Sequence, residues 1–349
     1  MEEMSRAVIL PFPGDPYLIN YWLHLFRTVW YDEISKLYIY HNSTIEPEME
    51  AYIKNLCKDE KIVYIYNPKQ IEHGDAINNA LDEVKEDYLM LIEDDAYIFK
   101  KYIVDACFRE LENNKYDIIG SRRGSCAFEI LEQARLKWGL DYEGEGDQGC
   151  NFWPCYFFTK TSILKQTTRR FGARAWNSGQ IIEPLSYVVD APVVYGDTFV
   201  NTSLELRAII PQERILTIPQ YHADPNDITF HENKKFLFNG LSSWTHVGSL
   251  STGVGGVLTD DQNRPLSKRK IWEPQELQQG KNANSAGEVL EWARRISFWL
   301  RFYEFADSNR GSEEFYELYG KAIHKLIIKN DIPYTTIRRF KKIYKTLGL

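Results

Sequence analysis

Asp87-Tyr88-Leu89-Met90-Leu91-Ile92-Glu93-Asp94-Asp95-Ala96-Tyr97-Ile98-Phe99 places three consecutive carboxylates directly after a continuous apolar run. Tyr88 to Ile92 is too short for a helix and too apolar for a surface loop, so it reads as a strand buried on both faces of a parallel sheet. In an open α/β sheet, ligands collect in the crevice beyond the carboxyl ends of the strands, where Glu93, Asp94 and Asp95 would lie. Three neighbouring acids repel one another, and a hard cation among them removes that repulsion. The plainer alternative makes one acid a cap for a helix starting near Lys100 and leaves the others solvated.

Working outward, the flanking sequence alternates strand-like and helix-like segments. Ala7 to Leu10 reads as a first strand, stopped by the turn cluster Pro11-Phe12-Pro13-Gly14-Asp15-Pro16, with a helix from about Tyr17 to Tyr31 behind it. Lys36 to His41 is a second strand with Asn42-Ser43-Thr44 at its wet end, Pro47 to Lys58 a helix with proline in its first turn, and Ile62 to Tyr66 a third strand. A helical segment from Asp75 to Lys85 leads into the acidic strand. Such alternation predicts a right-handed, mostly parallel sheet of the nucleotide-binding kind.

Beyond Asp95 the pattern weakens. A helix from about Lys101 to Asn113 and a strand from Tyr116 to Ser121 are expected, then a glycine-rich acidic loop, Glu143 to Gly149. Asn151 to Phe158 has the composition of a ligand-facing edge strand. Gln180 to Asp190 reads as helical despite Pro184, Tyr195-Gly196-Asp197-Thr198 leads into another helix, and Leu216 to Pro219 is a late strand. Residues 222 to 264 hold His222, His231, His246 and a Gly/Ser/Thr-rich run, and read as a long functional loop. Three helices are expected after Pro274. The domain division is therefore 1–264 for the α/β unit and 265–349 for a helical C-terminal region.

Bulk properties narrow the classes. The 349-residue chain carries net charge -7 and 14% aromatic residues, enough length for a large core and enough aromatics for sugar-stacking surfaces. Residues 264–349 contain 17 Lys and Arg against 10 Asp and Glu, whereas the rest holds 25 against 39. An acidic main body argues against nucleic-acid binding. No signal-like segment and no apolar run of about 18 residues is present, so a cytoplasmic protein is expected. Five cysteines, an odd count, fit reduced thiols. Ile337, Phe340, Ile343, Tyr344 and Leu347 share one face of a basic helix, which suits either docking on its own domain or peripheral contact with an anionic membrane.

In this order of elements and motifs the chain resembles the GT-A superfamily of nucleotide-sugar-dependent glycosyltransferases over roughly residues 6 to 260. The carriers are the Pro-rich loop after the first strand, His73-Gly74-Asp75-Ala76-Ile77-Asn78-Asn79-Ala80, and Glu93-Asp94-Asp95, which is similar to the family's Asp-x-Asp motif. The resemblance implies an α/β GT-A fold and transfer of a sugar from a nucleoside-diphosphate sugar to a glycan, lipid-linked or protein acceptor. Inversion is the expected outcome, with a retaining enzyme or a catalytically silent sugar-binding protein as the rivals. It implies Mn²⁺ or Mg²⁺, held by Asp95 and by His246 of Trp244-Thr245-His246-Val247-Gly248, with His222 and His231 competing for the latter role. Donor binding falls to Pro11, Phe12, Asp15, Asn42, Gly74, Asp75, Glu93 and Asp94. Asp197 is the expected general base, its plainer role being a helix cap, and Glu183 and Asp190 stand in reserve. Trp153 and Trp176 are expected to stack on acceptor sugar, against the simpler reading of core packing.

Overall fold

The segment Tyr88–Ile92 is a strand with every residue buried, Leu89, Met90 and Ile92 completely so. Burial of each such side chain contributes about 1.5–3 kcal/mol, which explains why this run anchors the sheet. The structure, a computed structural model, describes residues 5–122, 126–140, 152–219 and 244–246, apart from 13–18, 20, 21, 24, 44, 46, 95 and 99–101. Asp15, Asp95, the 143–149 loop, His222, His231 and the expected C-terminal helices with the boundary at 264 lie outside those residues.

In chain order the elements are β1 (Arg6–Phe12), β2 (Lys36–Asn42), α1 (Pro47–Leu56), β3 (Ile62–Asn67), α2 (His73–Glu83), β4 (Tyr88–Ile92) and β5 (Ala96–Ile98). Next come α3 (Tyr102–Glu112), β6 (Ile118–Arg122), α4 (Phe128–Trp138), β7 (Phe152–Lys160) and α5 (Thr161–Lys165). The remainder is β8 (Arg174–Asn177), β9 (Ile181–Ile182), β10 (Tyr187–Val188), β11 (Val193–Gly196), α6 (Val200–Ile209), β12 (Ile215–Pro219) and β13 (Trp244–His246).

Seven strands form one sheet in the order β12-β6-β7-β4-β1-β2-β3. The pairs β1–β2, β2–β3, β1–β4 and β6–β12 are parallel, and β7 runs antiparallel between β4 and β6. This is the mostly parallel, helix-flanked α/β architecture expected. The chain moves outward from β1 through β2 to β3, then returns to place β4 on the other side of β1. No described helix is long and apolar enough to cross a membrane.

Two expectations are corrected. Asn151 to Phe158 is no edge: β7 lies inside the sheet, paired on both sides. Pro154, which has no N–H to donate, is tolerated because it falls past Tyr156, the last β7 residue paired with β4, and where the register with β6 slips between Gly120 and Arg122. Gln180 to Asp190 is not a helix. Ile181–Ile182 pairs with Tyr187–Val188 around a 3₁₀ turn at Glu183–Leu185, and β8 pairs with β11, so residues 174–196 make a long two-stranded excursion. Alternation of Ile181/Ile182, Val188/Val189 and Val193/Val194 between exposed and buried is a period of two, which Pro184 permits and a helix does not.

Candidate active site

The carboxyl ends of β1 and β4 form the switch point of the sheet, the place where open α/β folds bind ligands. Phe12 ends β1, Asn42 ends β2, and Glu93 and Asp94 follow β4, so residues distant in sequence reach one rim. Two of them have structural tasks there. The Phe12 ring is 1% exposed and lies 5.1 Å from the His41 ring. The Asn42 side-chain amide donates to the Ile71 carbonyl at 2.8 Å while its oxygen accepts from the Ile71 N–H at 2.9 Å. Pro11 precedes Phe12 in β1, opposite Tyr40 of β2.

The next contributor is the start of α2. Glu72 caps this helix, its carboxylate accepting the Gly74 N–H at 3.1 Å. Gly74 is required by close packing, since a Cβ there would fall 2.1 Å from the backbone nitrogen of Gly172. That contact fixes the helix end against the segment Phe171–Gly172, with Asp75 exposed on the first turn. It also brings His73 to the acidic rim: its Nε2 is 3.9 Å from Glu93 Oε1.

Asp197 follows β11 and approaches the same rim from the second half of the chain. Helix α6 starts at Val200 with Phe199 as its N-cap, so Asp197 is not the cap. Phe199 adopts φ 71°, donates its N–H to the Phe171 carbonyl at 2.6 Å, and stacks on the Phe171 ring with centroids 5.5 Å apart. A non-glycine residue in this left-handed region is strained, and strain of this kind persists where packing on both sides enforces it. Phe171 therefore braces the Asp197 turn on one side and the α2 start on the other.

Burial pushes the Asp197 carboxyl above the ordinary range, and the Glu93 charge adds to the rise. The Thr198 N–H, donating to Asp197 Oδ1 at 2.8 Å, opposes it, as do His73 and the Tyr195 hydroxyl. Glu93, His73, Tyr195 and Asp197 are thus within electrostatic reach of one another. A carboxylate with raised proton affinity is better matched to taking a proton near neutrality.

The other sequence candidates separate. Trp176 is 1% exposed, packed in a second core with Val194, Val200 and Leu204, so its ring is unavailable for acceptor stacking; this corrects the expectation. Trp153 lies in β7 near its start. Glu183 and Asp190 sit out along the 174–196 excursion, Asp190 accepting the Tyr187 hydroxyl at 2.6 Å. For metal binding, no three His, Cys, Asp or Glu side chains cluster among the described residues. The backbone does bring β13 antiparallel to β5, with His246 opposite Ala96, the residue that follows Asp95.

His73 and Tyr195 are additions to the sequence candidates. Both stand inside motifs already notable in the sequence, but neither motif reveals that the Gly74–Gly172 contact and the strand end aim them at one rim.

The fold is the mostly parallel, helix-flanked α/β sheet that the resemblance to the GT-A superfamily implied. Residues 26–174 match the family model described as glycosyl transferase family 2. The match includes Glu93, Asp94 and Asp95 and stops before Asp197. No curated protein matches the chain.

Among solved structures, glucosyl-3-phosphoglycerate synthase from Mycobacterium tuberculosis in complex with Mn²⁺, UDP-glucose and phosphoglyceric acid is 11% identical, with 62% of this chain and 70% of that chain covered and a TM-score of 0.38. The same synthase in another crystal structure gives 10%, 67%, 77% and 0.41. S. aureus TarS 1-349 in complex with UDP-GlcNAc gives 11%, 95%, 83% and 0.37. At such scores these likenesses carry no argument about what this chain binds.

Proposed function

We propose that this chain is a metal-dependent, inverting glycosyltransferase that moves a sugar from a nucleoside-diphosphate sugar to an acceptor hydroxyl. The observation that carries the reading is the convergence of Asp197 with Glu93 and His73 at the carboxyl end of the sheet. In the proposed reaction the acceptor oxygen attacks the anomeric carbon from the face opposite the diphosphate, and the bond from that carbon to the β-phosphate oxygen breaks, its electron pair leaving with the phosphate. The acceptor proton passes to Asp197, whose raised proton affinity suits a base. Glu93 and Asp94 would hold donor hydroxyls, with Asp15 and Asp75 beside the nucleoside and Pro11, Phe12, Asn42 and Gly74 as the packed support beneath it.

A divalent ion would be held by Asp95 and His246. The donor types support this reading: carboxylate oxygen suits Mn²⁺ or Mg²⁺, and His246 pairs with Ala96, the next residue in sequence after Asp95. When bound, such an ion neutralises charge that grows on a departing diphosphate. The acceptor would be a glycan, lipid-linked or protein hydroxyl, and the basic segment 337–347 of this cytoplasmic enzyme would dock on its own domain or else make peripheral contact with an anionic membrane.

A thermal-shift screen of nucleoside diphosphates and their sugars, with and without Mn²⁺, tests the reading through binding alone. One nucleotide is expected to raise the melting temperature in a Mn²⁺-dependent manner, and Asp95→Ala is expected to abolish the Mn²⁺ increment. Metal-independent nucleotide stabilisation that survives Asp95→Ala unchanged contradicts the metal assignment.

A further inference from the structure

Tyr195 is an exposed aromatic residue beside the candidate base. Its side chain is 47% exposed, although it lies in the interior of a paired strand. The neighbours Val194 and Gly196 face inward and are buried, while Val193 and Tyr195 face outward, as the strand period requires. Asp197 follows two residues later, just beyond the end of β11, and the Tyr195 side chain is within electrostatic reach of its carboxyl. Two other exposed aromatics, Tyr52 and Phe128, belong to α1 and α4.

The ring is also well mounted. Tyr195 is paired with Ala175 of β8, a residue with a one-carbon side chain, so the outward face beside the ring is low. On the opposite side its carbonyl accepts the Ala127 N–H at 2.8 Å, and Cys126 bridges Gly196. The backbone is thus held from two directions, and the aromatic group gives up little freedom on contact with a ligand.

The reaction itself dictates what passes over this ring. A general base acts only within hydrogen-bond reach of the proton it takes, about 2.6–3.2 Å between heavy atoms. An acceptor hydroxyl at Asp197 therefore brings the ring that bears it within one residue's breadth of Asp197, and Tyr195 occupies that position on the outward face. Pyranose rings present a flat patch of C–H bonds with polar edges, which an aromatic face with a hydroxyl at its tip complements.

We propose that Tyr195 is the acceptor-binding platform of this enzyme and that the acceptor group it receives is a pyranose ring, stacked by its C–H face. This rests on the assignment of Asp197 as the base and replaces Trp176, whose ring is occupied by packing. The sugar edge carries the reacting hydroxyl toward Asp197, two residues along the chain from the ring that supports it.

The test uses residues 1–349 with Mn²⁺ and the nucleoside diphosphate that gives the largest shift in the thermal screen, and reads saturation-transfer NMR on a panel of methyl glycosides: α- and β-glucoside, galactoside, mannoside and N-acetylglucosaminide. At least one glycoside is expected to receive saturation on its C–H face from the wild type. Tyr195→Phe is expected to keep that signal and bind within about twofold of wild type, and Tyr195→Ala to weaken binding by about tenfold, the range of one aromatic contact. Nucleotide-induced thermal shifts are expected to be equal in all three proteins, which excludes misfolding as the cause. Glycoside binding that is the same in Tyr195→Ala, or no binding of any pyranoside by the wild type, overturns the platform. Failure of the underlying reading looks different: Asp197→Asn would then retain transfer whatever Tyr195 does.

Discussion

Asp197 is ordinary by composition and unusual by position. Its proton affinity is raised chiefly by burial and secondarily by Glu93, so the folded state favours the protonated form over a window above the usual carboxylate value of about 3.9. Stability attached to this group is therefore fully present at low pH and is lost as pH rises through the raised value. Activity runs the other way, since only the ionised form accepts a proton. The acid limb of kcat/KM is expected above the ordinary carboxylate range. Asp197→Asn is expected to lower kcat by about 10²–10⁴-fold while leaving the neutral-pH melting temperature equal or higher. Trp176 gives the opposite pattern at the same scale. Trp176→Ala, which empties a site 1% exposed, is expected to cost about 3–5 kcal/mol in urea denaturation, with acceptor KM unchanged wherever the protein remains folded.

At the scale of elements, the start of α2 matters more than its length. Gly74 lets this helix meet Phe171–Gly172 backbone to backbone, and Phe171 in turn receives the Phe199 N–H and stacks on its ring. A displacement of α2 is thereby transmitted to both His73–Glu93 and the Asp197 turn. Gly74→Ala sets a methyl group 2.1 Å from a backbone nitrogen that has nowhere cheap to go. A loss of about 1–3 kcal/mol in stability is expected, together with weaker nucleotide binding by calorimetry. Gly172→Ala is the control, because its Cβ meets the Glu72 carboxylate, the far end of a flexible side chain, and a milder effect is expected.

Across the whole molecule the two ends of the sheet differ in electrostatic logic. At the amino end, Arg6 donates to Glu112 at 2.6 Å and Asp105 at 3.2 Å, and Asp117 joins Arg214 and, at 2.8 Å, Lys160, tying β6, β12 and β7. Glu112, Asp105 and Asp117 each have a cation beside them. At the carboxyl end Glu93 and Asp197 are gathered with a histidine, an arrangement that serves chemistry better than stability. The Arg214 hydrogen bond, with Lys160 assisting, lowers the Asp117 carboxyl to about 2. Its contribution is present above the ordinary Asp value and lost as pH falls through about 2. Asp117→Asn is expected to lower stability by about 1–3 kcal/mol at neutral pH, and the gap from wild type is expected to close in urea titrations as pH approaches 2.

How much was legible follows from the range of the signals. The apolar run Tyr88 to Ile92, its acidic end and the β-α alternation before it are local patterns, so the sequence alone determined the parallel sheet and the location of the acidic rim. Antiparallel insertion of β7 was not readable, because a buried aromatic-rich strand has the same composition whichever neighbours it pairs with. Nor was the 174–196 excursion, where a proline among mixed apolar residues left the period ambiguous over a few positions. Only tertiary structure decided that Trp176 is buried, that His73 meets Glu93 through a glycine contact, and that Tyr195 and Asp197 share a strand's outward end. Those facts depend on packing between segments far apart in the chain, where the free energy of close contact acts and sequence periodicity carries no record of it.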